Sequence, residues 1–251
     1  MANTLPNDEQ WAWIASDFKK AYDLLPDKQD MVGRANKIAA ASYLAKAYLY
    51  KAYRQDGANS NLLTGINSED LEKVLTYTEY ALKSNKELEF DFGYNFLPGS
   101  YENGMESLFA IQYSKDDGTM FGRLNFGDVL SVPQGIGCCD FHKPSQNLVN
   151  AFRTQNGLPR FDNYDDLNYD PSSDTSDPRL FHTVAMPEFP YKYNENLIFK
   201  ENWNRNVPYY GVYASLKENV DPSCDCFVNM SPFYGNTKNR IVIRLADVIL
   251  M

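Results

Sequence analysis

Apolar residues recur at helical spacing three times before Phe90. Trp11, Ile14, Ala15, Phe18, Tyr22 and Leu25 follow one another at i, i+3, i+4, which places them on one face of a helix. Asn7, with Gln10 three residues on, reads as a variant capping box at its start, and Pro26 ends it. A second helix is predicted from Arg34 to Tyr53. Its inner face holds Ala35, Ile38, Ala41, Ala45, Tyr48, Leu49 and Ala52, and so many alanines let a neighbouring helix approach closely. Asp56-Gly57 closes it with turn chemistry. A third helix starts from an N-cap at Ser68, with Glu69 and Asp70 at the positive end of its dipole. Leu71, Val74, Leu75, Thr78, Ala81 and Leu82 form its stripe, and Lys83 and Lys86 stand at the negative end. Three amphipathic helices with alanine-rich contacts predict tetratricopeptide-like hairpins.

The pattern changes after Phe90. Gly, Pro, Asn, Asp and Tyr become dense and the helical period fades. "ESLFAIQY" alternates as a strand behind Asn103-Gly104. "PSQNLVNAF" reads as a short helix started by Pro144 or Ser145, buried through Leu148, Val149 and Phe152, and stopped by Asn156-Gly157. Long loops with small strands, "NLIF" and "FVNM" among them, fill Leu158 to Asn239. "NRIVIRLADVILM" starts extended at Arg240 to Ile243 and turns helical through Leu245, Val248 and Ile249. A helix cut within two turns is marginal alone. Val248, Ile249 and Leu250 are therefore expected to form an exposed apolar patch that promotes association. The fold class that follows is mainly α: tetratricopeptide-like hairpins forming an α-α superhelix over residues 1–90, and a loop-rich part with small strands over 91–251. The two parts read as one structural domain of a longer protein.

Composition narrows the partners. Acidic residues outnumber basic ones, 33 to 24, for a formal net charge of −9. Nucleic acid, which needs a basic footprint, is excluded as a partner. Hydrophobic residues at 43% are enough for a packed core. No apolar run reaches the length of a membrane span. The first residues, "MANTLPNDEQWAW", hold no basic region followed by an apolar one, so no signal peptide is read there. The chain is then either cytoplasmic or separated from its targeting segment.

The reactive-looking stretch is "GIGCCDFHKPSQNLVNAF", Gly135 to Phe152. Zinc sites want spaced cysteine pairs, whereas Cys138-Cys139 are adjacent and Cys224 and Cys226 flank one residue. Adjacent cysteines point apart in an extended chain. Free buried thiols fit best, with a cross-link between the two pairs open in an oxidising compartment. A Cys139–His142 nucleophile pair is disfavoured, because a thiol and its base usually come from distant segments. His182 reads as structural. The acidic stretch Phe161 to Asp177 lacks the Gly and closing Glu of a calcium loop and reads as a solvated turn-rich loop. No phosphate loop, serine-hydrolase elbow or metalloprotease motif is present. The residues alone offer no enzyme signature, and no metal or cofactor is read from them.

These stretches, in this order, resemble the SusD/RagB family of outer-membrane nutrient-binding lipoproteins of Bacteroidetes. "GRANKIAAASYLAKAYLY" from Gly33 is similar to the family's alanine-rich helix, "MESLFAIQYS" to its second-half opening strand, "PSQNLVNAFRTQNG" to its short helix and turn. "DPRLFHTV" is similar to the segment that follows, and "NRIVIRLADVILM" to the start of its closing helical region. Members are longer at both ends, so the chain reads as an internal or truncated portion. The resemblance implies that Cys138, Cys139 and His142 are scaffold.

It also implies a non-enzymatic cell-surface protein that captures oligosaccharide or polysaccharide and passes it to a SusC-like TonB-dependent transporter. Such a protein is held to the outer membrane only by a lipid anchor that lies outside this chain. The competing classes are a tetratricopeptide-type interaction scaffold and a glycoside hydrolase. For a sugar surface the best stretch is "NWNRNVPYYG", Asn202 to Gly211. Trp203, Tyr209 and Tyr210 offer stacking faces, and Asn202, Asn204, Arg205 and Asn206 offer hydrogen-bond partners. Tyr164 and Tyr169 are further candidates. The opposing reading has Trp203 and Tyr210 anchoring their loop to the core.

Overall fold

The computed structural model describes residues 5–55, 62–120, 122–230 and 233–251. Among them seven α-helices run in chain order: α1 Asn7–Leu24, α2 Lys37–Ala52, α3 Ser68–Leu82, α4 Gln146–Ala151, α5 Leu180–Thr183, α6 Val207–Tyr210 and α7 Leu245–Ile249. The strands β1 Tyr53–Gln55, β2 Leu63–Ile66, β3 Ser107–Ile111, β4 Thr154–Gln155, β5 Leu158–Pro159 and β6 Val184–Ala185 are followed by six more. These are β7 Pro190–Tyr191, β8 Asn194–Ile198, β9 Ala214–Ser215, β10 Phe227–Met230, β11 Phe233–Asn236 and β12 Arg240–Arg244. The contacts divide the chain into two units. The first holds 1–89, 103–111 and 240–251; the second holds 90–102 and 112–239. The chain first leaves the first unit after Glu89.

In the first unit α2 is the centre. Ala39, Ala40, Ala41, Leu44, Ala45, Ala47 and Ala52 are all buried on it. Small side chains there let aromatic residues from both neighbours close over the helix: Phe18 stacks on Tyr43 with ring centroids 5.1 Å apart, and Tyr48 lies parallel to Tyr77 at 6.0 Å. The helix starts differ from the sequence reading by one to three residues. Asn36 caps α2 by accepting from the Ala39 amide, and Asn67, not Ser68, caps α3 by accepting from the Asp70 amide. Pro6 precedes α1, and Asn7 lies inside it with its side chain on Gln55. Asp70 is not a solvated dipole residue. It is 2% exposed and receives Lys51 at 2.8 Å, Arg54 at 2.9 Å and Lys73 at 3.3 Å. Burial alone would raise its pKa; the Lys51 and Lys73 contacts outweigh that and hold it below the usual carboxylate value. Leu75 and Leu82, placed in the α3 stripe from their spacing, are exposed. The Asp56-Gly57 turn lies outside the described residues.

β3 and β12 pair antiparallel, Arg240 opposite Ile111 and Arg244 opposite Ser107. The chain then enters α7, whose Asp247 carboxylate accepts from the Arg244 amide at 2.8 Å. Val248 is buried against Ala81, Leu108 and Ile243. The expectation that it would be exposed is corrected: the pairing of β12 with β3 carries α7 onto α3. Ile249 and Leu250 remain exposed.

The second unit is built from short hairpins. Asn156 and Gly157 have positive φ, 54° and 78°, and join β4 to β5 in a two-residue turn. So this dipeptide turns a hairpin, and α4 ends earlier, at Ala151. Lys192 and Tyr193 also have positive φ, 48° and 66°, between β7 and β8. With so little ladder, side chains satisfy the backbone. Asn219 Nδ2 donates to the carbonyls of Ser131 at 3.1 Å and Ser215 at 2.7 Å, and Asn125 Oδ1 accepts from the Asp128 amide at 3.3 Å. Lys192, 5% exposed, donates to the carbonyls of Leu216 at 2.9 Å and Phe96 at 3.2 Å. The acidic loop is organised from inside by Arg153, which donates to Leu167 O at 2.7 Å and Asp174 at 2.8 Å. That contact holds Asp174 below the usual carboxylate pKa.

Candidate functional site

The stretch Asn202 to Gly211 folds as a 3-10 turn, Glu201–Trp203, followed by α6. Asn206 precedes α6 in the left-handed region, φ 46°, and Gly211 follows it with φ 79°. Asparagine tolerates that region better than most residues and glycine adopts it freely, so both ends of this short helix are set by sequence. Tyr209 and Tyr210 project from it, 81% and 55% exposed.

Beneath them the support is polar and buried. Asn204 Nδ2 donates to Glu201 O at 2.9 Å and Val212 O at 2.7 Å, while its Oδ1 accepts from Lys143. Asp140 Oδ2 accepts from Lys143 Nζ at 2.9 Å and from the Arg205 amide at 2.6 Å. Burial lowers the Lys143 pKa, and Asp140 pulls it back up. The Arg205 guanidinium lies 4.9 Å from the centre of the Phe141 ring, in cation–π range, and Phe141 is itself 48% exposed. "CCDFHK" and "NWNRN", two stretches remarked on separately in the sequence, are thus one structure. Asp140, Phe141 and Lys143 carry no motif that would have joined them to residues more than sixty positions away.

Trp203 faces the other way. Its ring meets Phe199 edge-on at 5.5 Å and Tyr191 at 5.9 Å. A Cβ at Gly135 would lie 2.3 Å from Trp203 Cγ, so glycine is required there. Trp203 is a packing residue that fixes the loop. Tyr169 is 7% exposed, clustered with Val149, Leu180 and Tyr213, and its hydroxyl is 3.2 Å from Ser176 Oγ. A buried ring has no face to offer a sugar. Tyr164 is half-buried in the same loop, its carbonyl accepting from Arg153 at 3.3 Å.

The cysteines are joined within their pairs, Cys138 to Cys139 and Cys224 to Cys226, and none of the described cysteines is free. This corrects the reading of free thiols. Neither pair sits in an extended chain. A Cβ on Gly137 would lie 1.3 Å from a Tyr234 ring carbon, so only glycine lets that ring pack against the backbone just before Cys138. Cys224 and Cys226 flank a turn closed by Phe227 N on Cys224 O at 2.9 Å. His142 lies 3.3 Å from Glu218, and His182 Nδ1 lies 2.8 Å from the Tyr193 hydroxyl. Among the described residues no group of three or more His, Cys, Asp or Glu is placed to hold a metal, and no helix is long and apolar enough to cross a membrane. The sequence also passed over a second aromatic group in this unit. Phe92, Phe96, His182 and Tyr193 pack in succession, with Lys217 5.2 Å from the Phe92 ring and 5.0 Å from that of Phe96.

The same architecture occurs in solved structures. A SusD-like carbohydrate binding protein from Bacteroides fragilis aligns with a TM-score of 0.69 at 19% identity, over 96% of this chain and 44% of that one. A SusD-like protein from the same organism aligns at 0.63 and 18%, over 96% and 47%. A structure determined with a xylogluco-oligosaccharide aligns at 0.61 and 21%, over 96% and 43%. The chain therefore spans less than half the length of the structures it matches. No curated protein sequence matches it. The sequence model of the SusD family matches residues 105–251, which include β3, the Asp140–Lys143 support, the Tyr209–Tyr210 helix and β12. With more than half of its length matched in this way, the chain belongs to the SusD family.

Proposed function

We propose that this chain is the glycan-holding portion of a non-catalytic surface receptor, and that its sugar contact is the face made by Tyr209, Tyr210, Arg205 and Phe141. The observation that carries the reading is the contrast on one short helix. Two adjacent tyrosines are largely exposed, on a segment pinned from below by the buried Asp140 and Asn204 and the partly buried Lys143. Exposed rings on a rigid support suit a ligand that stays partly in water, because stacking then needs little ordering of the protein. Two neighbours are described as carbohydrate binding or as holding a xylogluco-oligosaccharide, which supports an oligosaccharide as ligand. Tyr164 is a peripheral candidate; Trp203 and Tyr169 act from the core.

On this reading the first unit is a tetratricopeptide-like superhelix. The chain is one structural domain of a surface lipoprotein that delivers its ligand to a SusC-like TonB-dependent transporter. The test is calorimetric titration of the chain with xyloglucan oligosaccharides and a neutral glycan panel. Tyr209→Ala with Tyr210→Ala should abolish measurable binding without lowering the melting temperature. Unchanged affinity in that double variant would rule the face out, and release of reducing sugar would replace the receptor by a hydrolase.

A further inference from the structure

We infer that the first unit carries a second, separate site: a cationic cleft that takes the carboxylate of an acidic oligosaccharide. The cleft has a volume of about 850 Å³ and lies between the loop after α1, the end of α3 and the start of β3. That size is in the range of small-ligand sites. Four cations line it, Lys28, Arg34, Lys83 and Lys86, against two acids, Asp27 and Asp30. One of those acids is engaged, since Asp27 accepts from the Tyr80 hydroxyl. The local balance is therefore the reverse of a chain with net charge −9.

The cations of this cleft differ from the others of the same unit. Lys51, Arg54 and Lys73 converge on Asp70. Lys83 has only an exposed contact with Glu79 at 3.6 Å. Among the described residues Lys28, Arg34 and Lys86 have no carboxylate within 4.0 Å. Lys83 directly follows α3 and complements its negative end, whereas Lys28 and Arg34 lie on the loop between α1 and α2, beyond the last turn of α1. Lys86 is half-buried and donates to Gly104 O at 3.1 Å. Burial lowers its pKa, with Glu89 pulling the other way, so a bound anion would restore what burial disfavours. Ser84 and Asn85 add partners for hydroxyls, and Met31 and Val32, 61% and 65% exposed, add apolar surface for the C–H faces of a sugar ring. The choice of a sugar as carrier of the carboxylate rests on the receptor reading above; the choice of an anion rests on the cleft alone.

The test uses the whole chain, with tetragalacturonate as probe and maltotetraose and tetraglutamate as comparisons, at low and high salt. Tetragalacturonate should bind more tightly than either, and weaken as salt rises. Arg34→Gln with Lys86→Gln should weaken it by about tenfold or more. Tyr209→Ala should leave it unchanged. If Lys86→Gln lowers the melting temperature, Arg34→Gln with Lys28→Gln replaces it and should weaken binding likewise. No binding of tetragalacturonate, binding indifferent to these variants, or equal binding of tetraglutamate would overturn the inference. Xyloglucan binding lost in the tyrosine variants would then still stand, which separates this failure from a failure of the receptor reading.

Discussion

Lys192 gives the sharpest test of how the loop-rich unit is held together. Its amine is buried against two backbone carbonyls, with no carboxylate within 4.0 Å among the described residues, and burial pushes its pKa down to about 7 from 10.5. A lysine whose folded pKa lies below its unfolded one destabilises the fold when charged. That penalty is complete below the folded value and disappears as pH rises towards the unfolded value. In the interval the unfolded chain binds the extra proton, so stability should climb with pH. At ~1.4 kcal/mol per pH unit the whole window is worth roughly 5 kcal/mol, of which roughly 2 kcal/mol falls between pH 7 and pH 9. Lys192→Met keeps the apolar stem and removes the titration. It also leaves two carbonyls unpaired, at ~1–3 kcal/mol each, an offset that does not depend on pH. Urea unfolding of both proteins from pH 6 to pH 9 should show their stability difference move in favour of the parent by roughly 2 kcal/mol between pH 7 and pH 9. Parallel curves across that range would refute the reasoning.

Other expectations follow from the packing. Trp203→Ala should lower stability by roughly 3 kcal/mol, read by denaturant unfolding, and leave xyloglucan affinity intact; the opposite pattern would return Trp203 to the sugar face. Asp70→Asn should cost ~3 kcal/mol at neutral pH, because three cations lose their shared carboxylate. The Asp70 pKa is lowered in the fold, so its contribution is present above the unfolded value and is lost as pH falls through the folded one; the variant should lack that acid limb. Reduction should raise the thiol count from none to four, yet move the melting temperature little, because each pair closes only a one- or two-residue separation.

The helices of the first unit were legible because burial on one face writes a 3.6-residue period, and their starts were misplaced by one to three residues, α2 beginning at Lys37 rather than Arg34 and α3 being capped by Asn67 rather than Ser68. The pairing of β3 with β12 was not legible. Both strands were recognised, but Ile111 and Arg240 are far apart in the chain, and no local pattern names a partner. That omission is why Val248 was read as exposed. The candidate site divided along a similar line. Composition marks Trp203, Tyr209, Tyr210 and Tyr169 alike as aromatic. Only the fold turns Trp203 onto Phe199 and Tyr169 onto Leu180 while leaving the other two in solvent. Asp140 escaped notice because its partners, Lys143 and the Arg205 amide, become neighbours only after folding.

The central claim is that Tyr209 and Tyr210 form the sugar-contact face. Its most direct test is an amide-resolved NMR titration of the chain with a xyloglucan oligosaccharide. The account predicts that the largest shift changes cluster at Phe141, Arg205 and Val207 through Gly211, and that they vanish in Tyr209→Ala with Tyr210→Ala. Saturable shifts that leave this segment untouched and cluster elsewhere, around Tyr164 or the Phe92–Tyr193 aromatic group, would contradict it.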